Sequence, residues 1–359
     1  MDALQKIKQW LLENEKDGVL LSRRDNYAWV TGGRRNQVVQ NQESGTAALL
    51  ITPHEDYLIA DAIDAQRIFD EETGFPVIMM VRPWFDPQET FIASLIGVQK
   101  IVSDNGIAGT ENVQDSLIDL RLALNPKEEA AYLVLGKKCA QLVEETCMEI
   151  CPGWTENRAA RLLQSKCVQA GISPDCVLAG SDERIDKYRH PMPTGNTINE
   201  RFMLVLGGEQ NGLNISLTRM VYFGDVPAEI RNKYECIQKI FAEMQEMTLE
   251  GTSYRDFFRN LQGLYAKAGY PGEWNRHHQG GPTGYACREK IITPDTQGKI
   301  SVHQAFAWNP SITGAKCEET TLLTQDGIRI LTRTDNWPVK EFQTKNGIIT
   351  VADILVRQM

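Results

Sequence analysis

Leu122-Ala123-Leu124-Asn125-Pro126-Lys127-Glu128-Glu129 is the stretch that divides this chain. Asparagine caps helices, proline is preorganised for a first helical turn, and acids placed there face the positive end of the helix dipole. These residues predict a long helix over 127–151 and a second domain that begins at 124. Upstream, Leu4, Ile7, Trp10 and Leu11 recur at helical spacing, Asp17-Gly18 breaks the pattern, and Val19-Leu20-Leu21 reads as a strand. Further strands are expected over 47–51, 57–60, 77–81 and 100–103, with helices between them, so 1–123 reads as a small α/β domain. Downstream, helices over 155–170, 228–247 and 254–268 alternate with strands over 202–207 and 213–223, and strand-like segments run to the end. Residues 124–359 therefore read as α+β.

A chain of 359 residues has room for two ordinary domains, and 42% hydrophobic with 24% charged residues predicts that both are packed. The formal charge of −9, with no basic stripe, argues against partners recognised through phosphates, nucleic acid and anionic membrane alike. No apolar run approaches the roughly 20 residues of a membrane span, and the start Met1-Asp2-Ala3-Leu4-Gln5-Lys6 leads into an amphipathic pattern; a cytoplasmic location is expected. The eight cysteines form no CxxC pair and are expected to be reduced and structural.

Four blocks of residues carry a family resemblance. Asn26-Tyr27-Ala28-Trp29-Val30-Thr31-Gly32 resembles the N-terminal signature of the creatinase, aminopeptidase P and prolidase family, and 122–129 resembles its domain junction. Arg189-His190-Pro191-Met192-Pro193 and Asn211-Gly212 with Thr218-Arg219 resemble two blocks around its active site. The resemblance implies an α/β N-terminal domain followed by a pita-bread catalytic domain, a curved antiparallel sheet backed by helices. It also implies a homodimer.

Metallopeptidases of this family hold two divalent ions on two aspartates, one histidine and two glutamates, hard ligands that neutralise the repulsion between adjacent dications. Carried over position by position, the two aspartates fall on Val205 and Ser216. The ligand histidine falls on Gly281 of His277-His278-Gln279-Gly280-Gly281-Pro282-Thr283-Gly284, and the first glutamate on Asn309. Only Glu318 keeps its ligand type. One carboxylate does not hold two dications, so neither metal nor other cofactor is expected.

His190 occupies the position at which creatinase, a metal-free relative, places its base, and an imidazole moves protons near neutrality without a metal. Catalytic roles are expected for His190 and Glu318. Substrate contacts are expected for His277, Arg288, Arg219, Asn309 and Ser216. Arg288 replaces a second family histidine and suits an anion, and Arg219 and Glu318 could equally form structural ion pairs, Glu318 with Arg288, Arg219 or Lys316. Strand alternation would send His277 into the pocket and His278 elsewhere, while His54 and His303 read as structural or solvent-facing. The expected activity is metal-independent hydrolysis of a carbon–nitrogen bond in a small polar or amino-acid-derived substrate. The alternatives are a catalytically silent binding module and a proline-specific dipeptidase or aminopeptidase acting on short peptides.

Overall fold

A computed structural model describes residues 2–97 and 99–358 and divides them into two compact units, the first reaching Asn125 and taking in Asn211–Leu213, the second holding the rest.

The first unit opens with helix α1 (Ala3–Glu13), capped by the Asp2 carboxylate, which accepts from the Gln5 amide at 2.8 Å. Strands β1 (Gly18–Arg23), β2 (Ser44–Ile51), β3 (Asp56–Asp61), β4 (Ile78–Arg82), β5 (Ile101–Ser103) and β6 (Glu111–Asn112) form one mixed sheet in the order β4-β3-β2-β1-β5-β6. Helices α2 (Arg24–Thr31), α3 (Ala65–Arg67), α4 (Gln88–Ile96) and α5 (Gln114–Arg121) accompany it. Leu20, Ala48, Leu50 and Ile59 of the sheet pack with Ile92 of α4 and Ile101, removing apolar surface from water. The Asn26–Gly32 block begins in α2, where the buried Asp104 carboxylate accepts from the Ser22 and Arg23 amides at 3.0 and 2.8 Å and from Asn26 Nδ2 at 3.0 Å.

The second unit opens with helix α6 (Pro126–Glu149), its first residue the proline of the junction. Helix α7 (Glu156–Gln169) follows, with Thr155 Oγ1 accepting from the Arg158 amide at 3.2 Å as its cap. Strand β7 (Ser173–Ser181), helix α8 (Glu183–Lys187), strands β8 (Arg201–Gln210) and β9 (Leu213–Phe223), and helices α9 (Ala228–Met247) and α10 (Tyr254–Lys267) come next. Strands β10 (Gly280–Thr283), β11 (Gln304–Trp308), β12 (Ser311–Ile312), β13 (Ala315–Lys316), β14 (Glu319–Thr324), β15 (Gly327–Ile330), β16 (Val339–Thr344), β17 (Gly347–Ala352) and β18 (Leu355–Arg357) complete it. Two four-stranded sheets result, β18-β9-β8-β7 and β10-β11-β14-β15. They are antiparallel apart from the terminal β18, which runs parallel to β9. The Thr218 amide donates to the Glu318 carbonyl at 3.1 Å, joining β9 to the segment before β14. Phe257, Leu261 and Tyr265 on one face of α10 pack with Phe306, Trp308, Val205 and Met220 in a single core.

Candidate active site

The 189–193 loop is held by close packing rather than by regular structure. A Cβ on Gly180 of β7 would stand 2.6 Å from Pro191 Cγ, so only glycine admits the loop, and the Ala179 amide donates to the Pro191 carbonyl at 3.1 Å. Arg189 is tied to Glu273, which also accepts from the Thr313 amide at 2.8 Å. His190 is thereby presented beside His277, which follows the helical turn Glu273–Arg276.

His190 Nε2 and His277 Nε2 lie 3.0 Å apart with their rings nearly perpendicular, at 80°. His278 stacks on His277, with ring centroids 4.6 Å apart and planes 27° apart. The expectation that His278 faces elsewhere is therefore overturned, because β10 begins only at Gly280 and strand alternation does not govern 277–278. Ser311 Oγ lies 3.4 Å from His277 Nδ1, and His278 Nδ1 is buried without a hydrogen-bond partner among the described residues. Burial, then the charge of Lys316, keeps the His277 pKa down at about 2. Burial, then Arg288, holds His278 at about 4, and burial with Lys316 lowers His190 as well. All three imidazoles are neutral at neutral pH.

Glu318 is 4% exposed, and its charge is answered from three directions. Lys316 Nζ lies 2.8 Å from Oε2, the Thr218 hydroxyl donates to Oε2 at 2.7 Å, and Arg288 Nη2 donates to Oε1 at 3.0 Å. Burial alone would raise this carboxyl, but Lys316 and Arg288 outweigh it and hold the pKa at about 2. Arg288 Nη1 also donates to Ser216 Oγ at 3.1 Å, so its guanidinium bridges Ser216 and Glu318. Arg288 Nε is buried without a partner among the described residues. The Asn309 amide donates to the Gln279 carbonyl at 3.1 Å, and its side-chain Oδ1 is a buried acceptor with nothing to accept from among the described residues. The β11–β14 register pairs Trp308 with Glu319 and the β12–β13 register pairs Ser311 with Lys316, which sets Asn309 across from Glu318.

Arg219 is a correction. It is 1% exposed and spends its guanidinium on Glu144 Oε1 at 3.0 Å, Glu319 Oε1 at 2.8 Å and the Thr332 carbonyl at 2.6 Å. It is a structural cation that leaves no donor for substrate. The sequence reading also did not assign Thr218 or His278 to the site, and it treated Lys316 only as a possible ion-pair partner. His303 Nδ1 pairs with Glu129 at 2.6 Å and His54 is exposed, so neither joins the cluster.

The fold is that of the pita-bread hydrolases with an N-terminal domain. It superposes on the prolidase from Pyrococcus horikoshii with a TM-score of 0.78 at 17% identity, covering 93% of this chain and 98% of that one. It superposes equally on a dipeptidase from Mycobacterium ulcerans, at 0.78 and 15% identity, covering 99% and 97%. The chain belongs to metallopeptidase family M24, whose family model matches residues 132–330. Among curated proteins it is similar to the Xaa-Pro dipeptidase of Pyrococcus horikoshii, 20% identical over 367 residues that span 93% of this chain and 97% of that protein.

The family name implies metal, and the residues that the resemblance puts at its ligand positions do not fit two dications. Val205 is in the hydrophobic core. A Cβ on Gly281 would stand 2.0 Å from the Lys290 carbonyl oxygen, so the place of a histidine side chain is filled by backbone. Asn309 is neutral, and the space between Ser216 and Glu318 is spanned by the Arg288 guanidinium. A protein cation already neutralises the one remaining carboxylate.

Proposed function

We propose that this chain hydrolyses the carbon–nitrogen bond of a short, amino-acid-derived substrate using its own imidazoles for proton transfer. The observation that carries the reading is the neutral His190–His277–His278 cluster, set in the same part of the fold as a Glu318 held ionised by Lys316 and Arg288. In this reading His190 Nε2 takes a proton from water as the oxygen attacks the acyl carbon, and the proton passes to the leaving nitrogen as the carbon–nitrogen bond breaks. His277, 3.0 Å away, holds the second end of the relay. Asn309 Oδ1 and Arg288 Nε supply an acceptor and a donor for a dipolar substrate.

The names of the relatives favour Xaa-Pro dipeptides over creatine-like amidino compounds as the substrate class. A proline amide is compatible with the relay, because its leaving nitrogen is a secondary amine that must gain a proton. A homodimer in the cytoplasm is part of the proposal, and light scattering tests the assembly. The decisive assay offers Xaa-Pro dipeptides, N-methyl amino acids and amidino compounds to chelator-treated protein. Turnover of a dipeptide without added ions is expected. Turnover that returns only with manganese or cobalt would remove the imidazole mechanism, and silence across all three classes would favour a binding module.

A further inference from the structure

We propose that His190, His277 and His278 form a site for one borderline transition dication, with Zn²⁺ the best fit, whose imidazole ligands set it apart from the family's carboxylate centre. The three side chains offer ligand nitrogens that all lie within 4.8 Å of one another. Zinc–nitrogen bonds of about 2.0–2.1 Å arranged as a tetrahedron put neighbouring nitrogens roughly 3.3 Å apart. The His190 and His277 Nε2 atoms, at 3.0 Å, are already close to that edge length. Two imidazole lone pairs this near each other repel unless a proton or a cation lies between them, and a cation serves both at once. His278 Nδ1, buried and without a partner among the described residues, is a third nitrogen in want of one. Ser311 Oγ at 3.4 Å from His277 Nδ1 stands where an outer hydrogen bond orients a metal-bound imidazole.

The ligand set also selects the ion. Imidazole suits zinc, copper and nickel, whereas manganese and calcium seek carboxylates, and here the Glu318 carboxylate that acts on all three imidazoles is committed to Lys316 and Arg288. Those two cations also act on the imidazoles and repel a dication, and Glu318 offsets one of the two charges. Affinity is therefore lower than for a carboxylate-supported site. Three protein ligands leave a fourth position open to water. Given the proton relay proposed above, an occupied site has lost the lone pairs that the relay uses. Zinc then inhibits, the opposite sign to a metallopeptidase.

Titration of chelator-treated protein with Zn²⁺, and with Co²⁺ followed by its visible absorption, tests the site without any substrate. One ion per chain and an intense tetrahedral Co²⁺ spectrum are expected. His277→Gln should weaken binding at least 100-fold and His278→Ala at least 10-fold, while Ser216→Ala retains it and Glu318→Gln, which removes only an offsetting charge, weakens it less than His277→Gln. The wild-type Co²⁺ spectrum keeps the test intact should a variant misfold. A weak octahedral spectrum, two ions per chain, or binding lost in Glu318→Gln but kept in His277→Gln overturns the site. Binding as described in a protein without hydrolytic activity leaves the site standing and removes only the relay.

Discussion

Lys316 Nζ and Glu318 Oε2 meet at 2.8 Å in the protein interior, two residues apart in sequence, with the Arg288 guanidinium on the other carboxylate oxygen. The carboxylate therefore depends on protein cations.

That dependence has a pH signature. The folded Glu318 carboxyl lies at about 2 against an ordinary value of 4.5. A depressed carboxyl contributes stability that is present in full above 4.5 and is lost as pH falls toward 2. The contribution at neutral pH is on the order of 3 kcal/mol. Glu318→Gln should thus be less stable than wild type at pH 7, with a gap that narrows between pH 4.5 and 2 in urea unfolding. A gap that stays constant across that window would contradict the linkage.

The imidazole relay sets the acid limb of activity. A base works unprotonated, and burial with the Lys316 charge lowers the His190 pKa below its ordinary 6.5. The kcat/KM of a cleaved substrate should stay high to a pH below 6.5 before it falls. His190→Ala should lower kcat by about 10²–10⁴-fold while the fold, read by circular dichroism, is unchanged. An acid limb centred above pH 7 would count against His190 as the base.

Arg219 should matter to folding rather than to substrate. Arg219→Met strands Glu144 and Glu319 in the interior and should cost about 3–5 kcal/mol, measured by denaturant unfolding. Arg219→Lys should recover little of this, because an ammonium cannot reproduce the forked set of donors. A variant as stable as wild type would show that the network contributes nothing.

Asn309 should show the reverse pattern. Its orphaned Oδ1 is a cost to the folded state, so Asn309→Leu, similar in volume, should hold or raise the melting temperature. The same change removes an acceptor proposed for substrate and should lower kcat/KM about tenfold, mainly through KM. A drop in stability with unchanged KM would make Asn309 purely structural.

Much of this was readable before any coordinates. The Asn125-Pro126 pair predicted the start of α6 because capping and first-turn chemistry are local. The pairing of Glu318 with Lys316 or Arg288 was readable because a buried carboxylate must find a cation. Arg219 was readable in part: it follows Thr218 on β9, whose hydroxyl bonds Glu318, and the pleat sends neighbouring residues to opposite faces. His278 is hidden because strand alternation does not reach residues 277–278, which precede β10. The bridge from Arg288 to Ser216 spans 72 positions and depends on how β9 meets the loop after β10, which no local pattern encodes.

The Lys290 carbonyl that fills the space beside Gly281 closes that position to any side chain. Histidine at 281 would first have to displace the backbone at 290, and the valine, serine and asparagine at 205, 216 and 309 would offer it no carboxylate. Each such substitution taken alone inserts bulk or an unpaired charge into a packed interior. Variation on this sequence can elaborate the imidazole cluster one residue at a time, whereas installing a carboxylate centre requires several changes at once.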